Sequence, residues 1–156
     1  PSGLAMPGFA MFDGRLGVLA LGRATFDTEL ATEKMTAALS RLAAAGVNVL
    51  GAPALLTDGD AAEAALAALD DADRLLILQV TFTDAAFLGA LAEKDTRPLS
   101  IWSVPAPRTG GRLRLNSFCG LNLASHALSL RKRSFDWLFA DPATASEAEI
   151  QALLTG

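Results

Sequence analysis

Arginine side chains in two glycine-containing segments are the residues whose types and spacing best suit ligand chemistry in this chain. One arginine directly follows the apolar run LGVLALG, and three more lie in the segment PAPRTGGRLRLN. A guanidinium presents a planar fork of donors that fits a carboxylate, a phosphate or sugar hydroxyls, and the glycine pair lets the backbone approach a ligand closely. These arginines are Arg23, Arg108, Arg112 and Arg114. They predict a site for a small anion or a sugar, although each of them taken singly is equally consistent with a solvated surface charge.

Polar and aromatic residues beside the arginines extend the candidate site. Phe82 and Asp84 lie in the segment TFTD, which follows the most apolar run of the chain, and Asn116 stands with Ser117 where a helix is predicted to begin. An aromatic ring stacks well on the apolar face of a sugar, and Asn and Ser are good helix caps. The alternative interpretation of the long segment from Pro105 to Asn116 is a surface insertion that binds nothing.

An alternation of short apolar runs and amphipathic stretches predicts the elements that position these residues. Buried strands are predicted at Leu16–Leu21, Val47–Leu50, Leu75–Val80, Leu99–Val104 and Phe135–Phe139. Helices are predicted at Thr28–Ala45 (ended by Gly46), Asp60–Leu69 (capped by Asp60), Asp84–Ala92, Ser117–Leu130 and Ser146–Leu154, the last with a capping box formed by Ser146 and Glu149. Five βα units predict an α/β fold: an open, mostly parallel, flavodoxin-like doubly wound sheet of about five strands with helices on both faces.

The predicted topology brings the candidate residues together. In the flavodoxin-like strand order 2-1-3-4-5 the first, third and fourth strands are neighbours, and ligands bind at the carboxyl ends of such strands. The unusual residues all follow those three strands, whereas the connections from helix back to strand are short and plain. We therefore expect one polar crevice at this end of the sheet.

Composition and charge exclude several classes of function. The chain has 156 residues, of which 51% are hydrophobic and 19% charged, with a net charge of -4 and a pI near 4.9. An acidic protein of this kind is a poor nucleic-acid binder. The sequence contains no apolar run long enough to span a membrane, and its single cysteine, Cys119, suits a reducing compartment. We expect a cytoplasmic protein whose partner is a small molecule.

Familiar catalytic motifs are missing from the sequence. No GxGxxG follows the first strand, no GxxxxGK phosphate loop occurs, and GRATFD stands where a flavodoxin has its phosphate loop. The single histidine, His126, has no neighbouring set of metal ligands, and it lies two helical turns from Cys119, too far to activate that thiol. These residues alone therefore predict neither a cofactor nor a complete metal site.

Three segments describe the expected domain organisation. Residues 1–15 lack an initiator methionine and are expected to be a disordered leader or an expression remnant. Residues 16–142 are expected to form the flavodoxin-like domain. Residues 143–156 are expected to form a terminal helix that leads toward a further domain.

Three segments carry a resemblance to a known family. LGVLALGRATFDTELATEKMTAAL, LLILQVTFTDA and IWSVPAPRTGGRLRLNSFCGLNLASHAL resemble, in order and spacing, the N-terminal domain of the L-fucose isomerase-like family, which also includes L-arabinose isomerase. The resemblance covers residues 16 to 141, and the third segment is the most specific.

The resemblance implies a function and assigns the parts of the active site to different domains. It implies a metal-dependent aldose–ketose isomerase, using manganese, whose site lies between the subunits of a homo-oligomer. Arg23 resembles the family's arginine after the first strand, and Phe82 is the nearest match to a substrate-facing aromatic. The family's metal ligands come from later domains and have no counterpart here, so this chain would not be catalytic alone. The alternative is a stand-alone sugar- or anion-binding or structural module.

Overall fold

The computed structural model describes residues 12–22, 28–51, 54–80, 86–105, 128 and 134–155, and its centre is one parallel sheet. The five strands are β1 (Arg15–Leu21), β2 (Asn48–Leu50), β3 (Arg74–Gln79), β4 (Leu99–Ser103) and β5 (Asp136–Phe139). The helices with described bounds are α1 (Thr28–Ala44), α2 (Gly59–Ala67), α3 (Ala86–Lys94) and α4 (Glu147–Thr155). All strand pairs are parallel, in the order β2-β1-β3-β4-β5, which confirms the predicted flavodoxin-like fold.

Two interior strands of the sheet, β3 and β4, are buried along their whole length. Every residue of β3 and β4 is buried, as expected for a parallel sheet that is covered on both faces. Two separate apolar clusters lie on the two faces. On one face α1 and α4 pack against the sheet, and on the other α2, α3 and Leu128 do so. Helices therefore cover both faces of the sheet.

Local signals at the helix ends are largely as the sequence predicts. Gly46 follows α1 with a φ of 82°, a left-handed conformation that glycine adopts without strain. The Ser146 amide donates to Glu149 Oε1 over 2.9 Å, and the Glu149 amide donates to Ser146 Oγ over 3.1 Å, which confirms the capping box. The cap of α2 was predicted wrongly: Asp58, not Asp60, accepts the hydrogen bond from the Ala61 amide. An aspartate is a good cap at either position, and the observed cap lies two residues before the predicted one.

The last helix packs on the same sheet as the others. Ile150, Leu153 and Leu154 are buried in the cluster shared with α1. Near its end, Ser100 Oγ donates to the Leu153 carbonyl over 2.6 Å, and the buried Arg74 donates to Ser100 Oγ over 2.8 Å. Two strands of the sheet therefore hold the final turn of α4. In the described part of the chain no helix is long and apolar enough to cross a membrane.

Candidate functional site

The carboxyl edge of the sheet, where β1, β3, β4 and β5 end, is the candidate functional site. The register places Leu21, Gln79, Ser103 and Phe139 in one row across the four strands. Parallel pairing continues to the end of the strands, because the Val80 amide donates to the Leu21 carbonyl (3.2 Å) and the Val104 amide to the Gln79 carbonyl (3.1 Å). With strands about 4.8 Å apart, the segments that leave β1, β3 and β4 start within about 10 Å of one another. The fold therefore brings the starts of these three segments close together, as the sequence predicts.

The side chains predicted to bind the ligand lie outside the described residues. They are Arg23, Phe82, Asp84, Arg108, Arg112 and Asn116. The same applies to Arg114, Cys119 and His126 and to the predicted helix Ser117–Leu130, apart from the buried, helical Leu128. The structure places the strand ends from which they follow, and their individual roles stay predictions.

Two buried polar residues at the carboxyl edge were not among the sequence predictions. Gln79 ends β3 and Ser103 ends β4; both have no solvent-exposed surface, and the register makes them neighbours. Their row partners Leu21 and Phe139 belong to the cluster on the α2 and α3 face, so the two polar side chains lie on that face. The signal was present in the sequence: in each predicted strand a polar residue stands next to the last position, just before a candidate loop.

The β2 side of this edge is closed by a short segment that runs beside β1. The Gly22 amide donates to the Leu56 carbonyl over 3.0 Å, and the Leu56 amide donates to the Ala20 carbonyl over 2.8 Å. The approach is so close that a side chain on Gly22 would meet Leu55 Cδ1 at 2.9 Å. Glycine at position 22 therefore lets this segment pack directly against the chain that leads to Arg23.

Near the carboxyl end of β5, an ion pair joins α1 to the turn that follows this strand. Lys34 Nζ lies 2.6 Å from Asp141 Oδ2, with 21% and 31% of the two side chains exposed. Burial raises the pKa of the Asp141 carboxyl, but hydrogen bonds from Lys34 and from the Ala143 amide, with the charge of Lys34, outweigh it and hold this pKa below its usual value. The Asp141 carboxylate is therefore ionised at neutral pH, and the pair joins α1, which begins just after the Arg23 segment, to the turn after β5.

A second concavity, of about 310 Å³, lies between α2 and α3 and does not belong to the carboxyl edge. Its charged lining includes Arg97 and Asp95, which precede β4. The hydrogen bond to the Asp95 carboxylate raises the pKa of Arg97, and the guanidinium also donates to the Leu69 and Ala72 carbonyls. These hydrogen bonds give Arg97 and Asp95 a structural role, which is to hold the turn after α2. Within the described ranges, no three His, Cys, Asp or Glu side chains are grouped so as to hold a metal ion.

Comparison with known proteins shows which sequences share this fold and pattern. Residues 17–155 match the sequence profile of the fucose/sulfoquinovose isomerase N-terminal domain. A sulfoquinovose isomerase from Priestia aryabhattai is 32% identical over 124 residues, covering 78% of this chain and 28% of that protein. A sulfoquinovose isomerase from Alkalicoccus urumqiensis is 31% identical over 132 residues, covering 84% of this chain and 30% of that protein. The chain thus spans less than a third of the length of these relatives.

Among solved structures, a flavo di-iron protein from Thermotoga maritima superposes with a TM-score of 0.49 at 15% identity. The superposition covers 94% of this chain and 36% of that protein.

Proposed function

The chain belongs to the family of fucose/sulfoquinovose isomerase N-terminal domains, and from this premise we propose that it forms one wall of the sugar site of a longer aldose–ketose isomerase. The observation that carries the proposal is the adjacency of β1, β3 and β4 at the carboxyl edge. It brings together the starts of three segments at the place where open α/β sheets bind ligands. These segments contain Arg23, Phe82 and the three arginines Arg108, Arg112 and Arg114.

The substrate class follows from the charge of the candidate residues. Sulfoquinovose, the sugar in the names of the relatives, carries a sulfonate, and a sulfonate is an anion that a guanidinium fork binds well. Arg23, Arg108 and Arg112 supply such forks on a protein whose net charge, with these arginines included, is -4. We propose that these arginines bind the sulfonate and hydroxyl groups of the sugar and that Phe82 packs on its ring, while Asp84 and Asn116 accept from or donate to its hydroxyls.

Aldose–ketose interconversion moves a proton between C1 and C2, and this domain would bind and orient the sugar for that step. The resemblance implies a divalent metal, manganese, which would polarise the sugar oxygens. The described residues do not fit a metal site, since they group no set of metal-ligating side chains. We propose that the metal is held by other domains and that the site is completed between subunits of a homo-oligomer.

The test is the kinetics of the complete enzyme with sulfoquinovose and L-fucose, comparing Arg23→Ala with Arg15→Ala. Arg23 follows the carboxyl end of β1. Arg15 is the first residue of β1, at the opposite end of the strand, and it pairs with the exposed Asp73. Arg23→Ala should raise KM or lower kcat/KM by about tenfold or more, with an unchanged melting temperature, and Arg15→Ala should leave both kinetic constants unchanged. Wild-type kinetics for Arg23→Ala would exclude the proposed role of this arginine.

A mixing experiment tests the site between subunits. Protomers with Arg23→Ala are combined with protomers that carry an inactivating substitution in another domain, and the hybrids are assayed. A composite site predicts that the hybrids have a higher kcat/KM than either parent, because some sites then receive intact parts from both. Hybrids whose kcat/KM does not exceed that of the Arg23→Ala parent would place the whole site within one chain. Binding of sugar to this chain alone, with no metal and no isomerisation by the complete protein, would instead favour a non-enzymatic binding module.

A further inference from the structure

β5 is the outermost strand of the sheet, and its sequence is unusual for an exposed edge. The strand order places β4 on one side of β5 and no described strand on the other. Soluble proteins protect such an edge with lysine, proline or a bulge, because an open edge pairs with other strands. Residues 135–139 contain neither lysine nor proline, and Trp137 in their middle is 60% exposed. This edge is therefore open to a further strand.

The backbone of Trp137 faces the open edge. The Ala140 amide donates to the Ser103 carbonyl over 3.1 Å, so the backbone groups of Ala140 point toward β4. Successive residues of a strand direct their amides and carbonyls to opposite sides of the strand. Those of Trp137, three residues earlier, therefore point away from β4, and no described residue bonds to them.

The side chains of this segment are arranged symmetrically about Trp137. Side chains alternate between the two faces of a sheet, so Phe135, Trp137 and Phe139 share the face that α2 and α3 cover, and both phenylalanines pack against the cluster there. The aromatic residues occupy the first, third and fifth positions of the segment FDWLF. Because this pattern is the same in both directions, the segment complements a second copy of itself that runs antiparallel.

From this arrangement we propose that β5 pairs antiparallel with β5 of a second copy of the chain, about a twofold axis at Trp137. The five strands of each copy then form one sheet of ten. The amide and carbonyl of Trp137 bond to those of its counterpart, and Phe135 lies opposite Phe139 of the other copy. Aromatic cross-strand pairs stabilise antiparallel strands, and a twofold contact of this kind closes on itself.

The opposite edge of the sheet does not offer the same contact. β2 has three residues, presents the exposed Asn48 and is followed by Gly51, whose φ is 115°. A short, polar edge strand that ends at such a glycine is protected against pairing. We therefore expect association through β5 and not through β2.

The size of the contact predicts a weak dimer. A tryptophan buries at most about 250 Å², so the exposed part of Trp137 supplies about 150 Å² from each copy. With the neighbouring backbone and phenylalanines the total stays below the roughly 1,200 Å² of stable complexes, which indicates a Kd of about 10 to 100 µM. The inference goes beyond the proposed function and does not depend on it, because it concerns this edge and not the sugar site.

Sedimentation velocity of the 156-residue chain between about 1 µM and about 1 mM tests the proposal. The wild type should pass from a 16.2 kDa monomer to a dimer as its concentration rises. Trp137→Lys should stay monomeric, because it places two like charges opposite each other at the axis. The matched control, Asn48→Lys, puts the same charge on the other edge strand and should dimerise as the wild type does.

Fluorescence shows where the two copies meet. In Trp102→Phe the only tryptophan is Trp137, whose emission should shift to the blue and become harder to quench as the dimer forms. Trp137→Phe keeps only the buried Trp102 and should show no change with concentration. The emission of Trp102 also shows whether Trp137→Lys is folded, and Trp137→Ser replaces that variant in sedimentation if it is not.

The outcomes separate this inference from the proposed function. A wild-type chain that stays monomeric up to about 1 mM overturns the inference alone, since the subunits of the enzyme can meet through other surfaces. If that monomer is accompanied by a lower melting temperature of the complete enzyme with Trp137→Lys, another domain covers the edge. Equal association of Trp137→Lys and wild type, or equal loss of association in Trp137→Lys and Asn48→Lys, also overturns the inference, because the contact is then not specific to β5.

Discussion

Lys34 and Asp141, which are 107 positions apart in the sequence, form a 2.6 Å ion pair that joins α1 to the turn after β5. Seven residues further along α1, Arg41 donates to the Pro142 and Ala145 carbonyls, so one face of the helix holds the whole turn that leads into α4. α1 begins directly after the segment with Arg23. The pair therefore links the position of that segment to the far strand of the sheet.

Removing the charge of Lys34 should make the domain less stable in a pH-dependent way. The pKa of Asp141 is held below its usual 3.8 in the folded protein, so the pair stabilises the fold above the unfolded pKa, and this contribution is lost as the pH falls through the folded pKa. We expect Lys34→Met to lower the free energy of unfolding by about 1 kcal/mol at pH 7, since both side chains are mostly buried. The difference from wild type should shrink below about pH 4.

Urea unfolding of both proteins between neutral pH and pH 3 measures this difference. Lys34→Arg, which keeps the charge, is the control and should retain most of the stability. A difference between Lys34→Met and wild type that is independent of pH would mean that lost packing, rather than the ion pair, causes the destabilisation.

The capping box of α4 should contribute measurably to stability. Ser146→Ala removes the acceptor of the Glu149 amide and should cost about 1 kcal/mol, as is usual for a lost N-cap. Glu147→Gln, in the same helical turn but outside the capping box, serves as the comparison and should change stability by only a few tenths of a kcal/mol. Equal melting temperatures for Ser146→Ala and wild type would show that water replaces the cap without loss.

Arg97 should be one of the most sensitive charged residues of the domain. It binds Asp95 through two nitrogens and donates to the Leu69 and Ala72 carbonyls, with only 22% of its side chain exposed. Arg97→Met leaves a partly buried carboxylate and two carbonyls without this donor and should cost about 2 to 3 kcal/mol in a denaturant titration. Arg15→Met, which breaks an exposed pair with Asp73, should have a much smaller effect. Equal losses of stability for Arg97→Met and Arg15→Met would contradict the role of Arg97 in holding the turn after α2.

The fold was predictable because its signals are local and repeated. Buried parallel strands give mostly apolar runs such as LLILQ and LSIWS, and right-handed βα connections leave few strand orders, of which 2-1-3-4-5 is the flavodoxin-like one. The cap of α2 was misplaced because two aspartates, Asp58 and Asp60, stand within the same turn and only the backbone geometry distinguishes them. The sequence alone does not fix the end of a helix to within one or two residues.

The neighbourhood of the strand ends at the candidate site was predictable, whereas the side chains predicted to bind the ligand lie outside the described residues and stay predictions. The place of the candidate site follows from topology, and topology follows from the strand pattern. Gln79 and Ser103 were missed because each lies inside an apolar run, where a single polar residue does not change the strand assignment. The pairing of Lys34 with Asp141 was not predictable from spacing, because a contact across 107 residues depends on how α1 and β5 pack.

The two tryptophans should report the fold by fluorescence. Trp102 has no exposed surface, and its indole nitrogen donates to the Ala140 carbonyl over 3.0 Å, whereas Trp137 on the edge strand β5 is 60% exposed. In dilute solutions of the 156-residue chain, Trp137→Phe leaves Trp102 as the emitter and should give blue-shifted fluorescence that acrylamide quenches weakly. Trp102→Phe leaves Trp137, whose emission should be red-shifted and strongly quenched. Similar quenching constants for the two variants would contradict the burial of β4 at the centre of the sheet, and with it the strand order on which the candidate site depends.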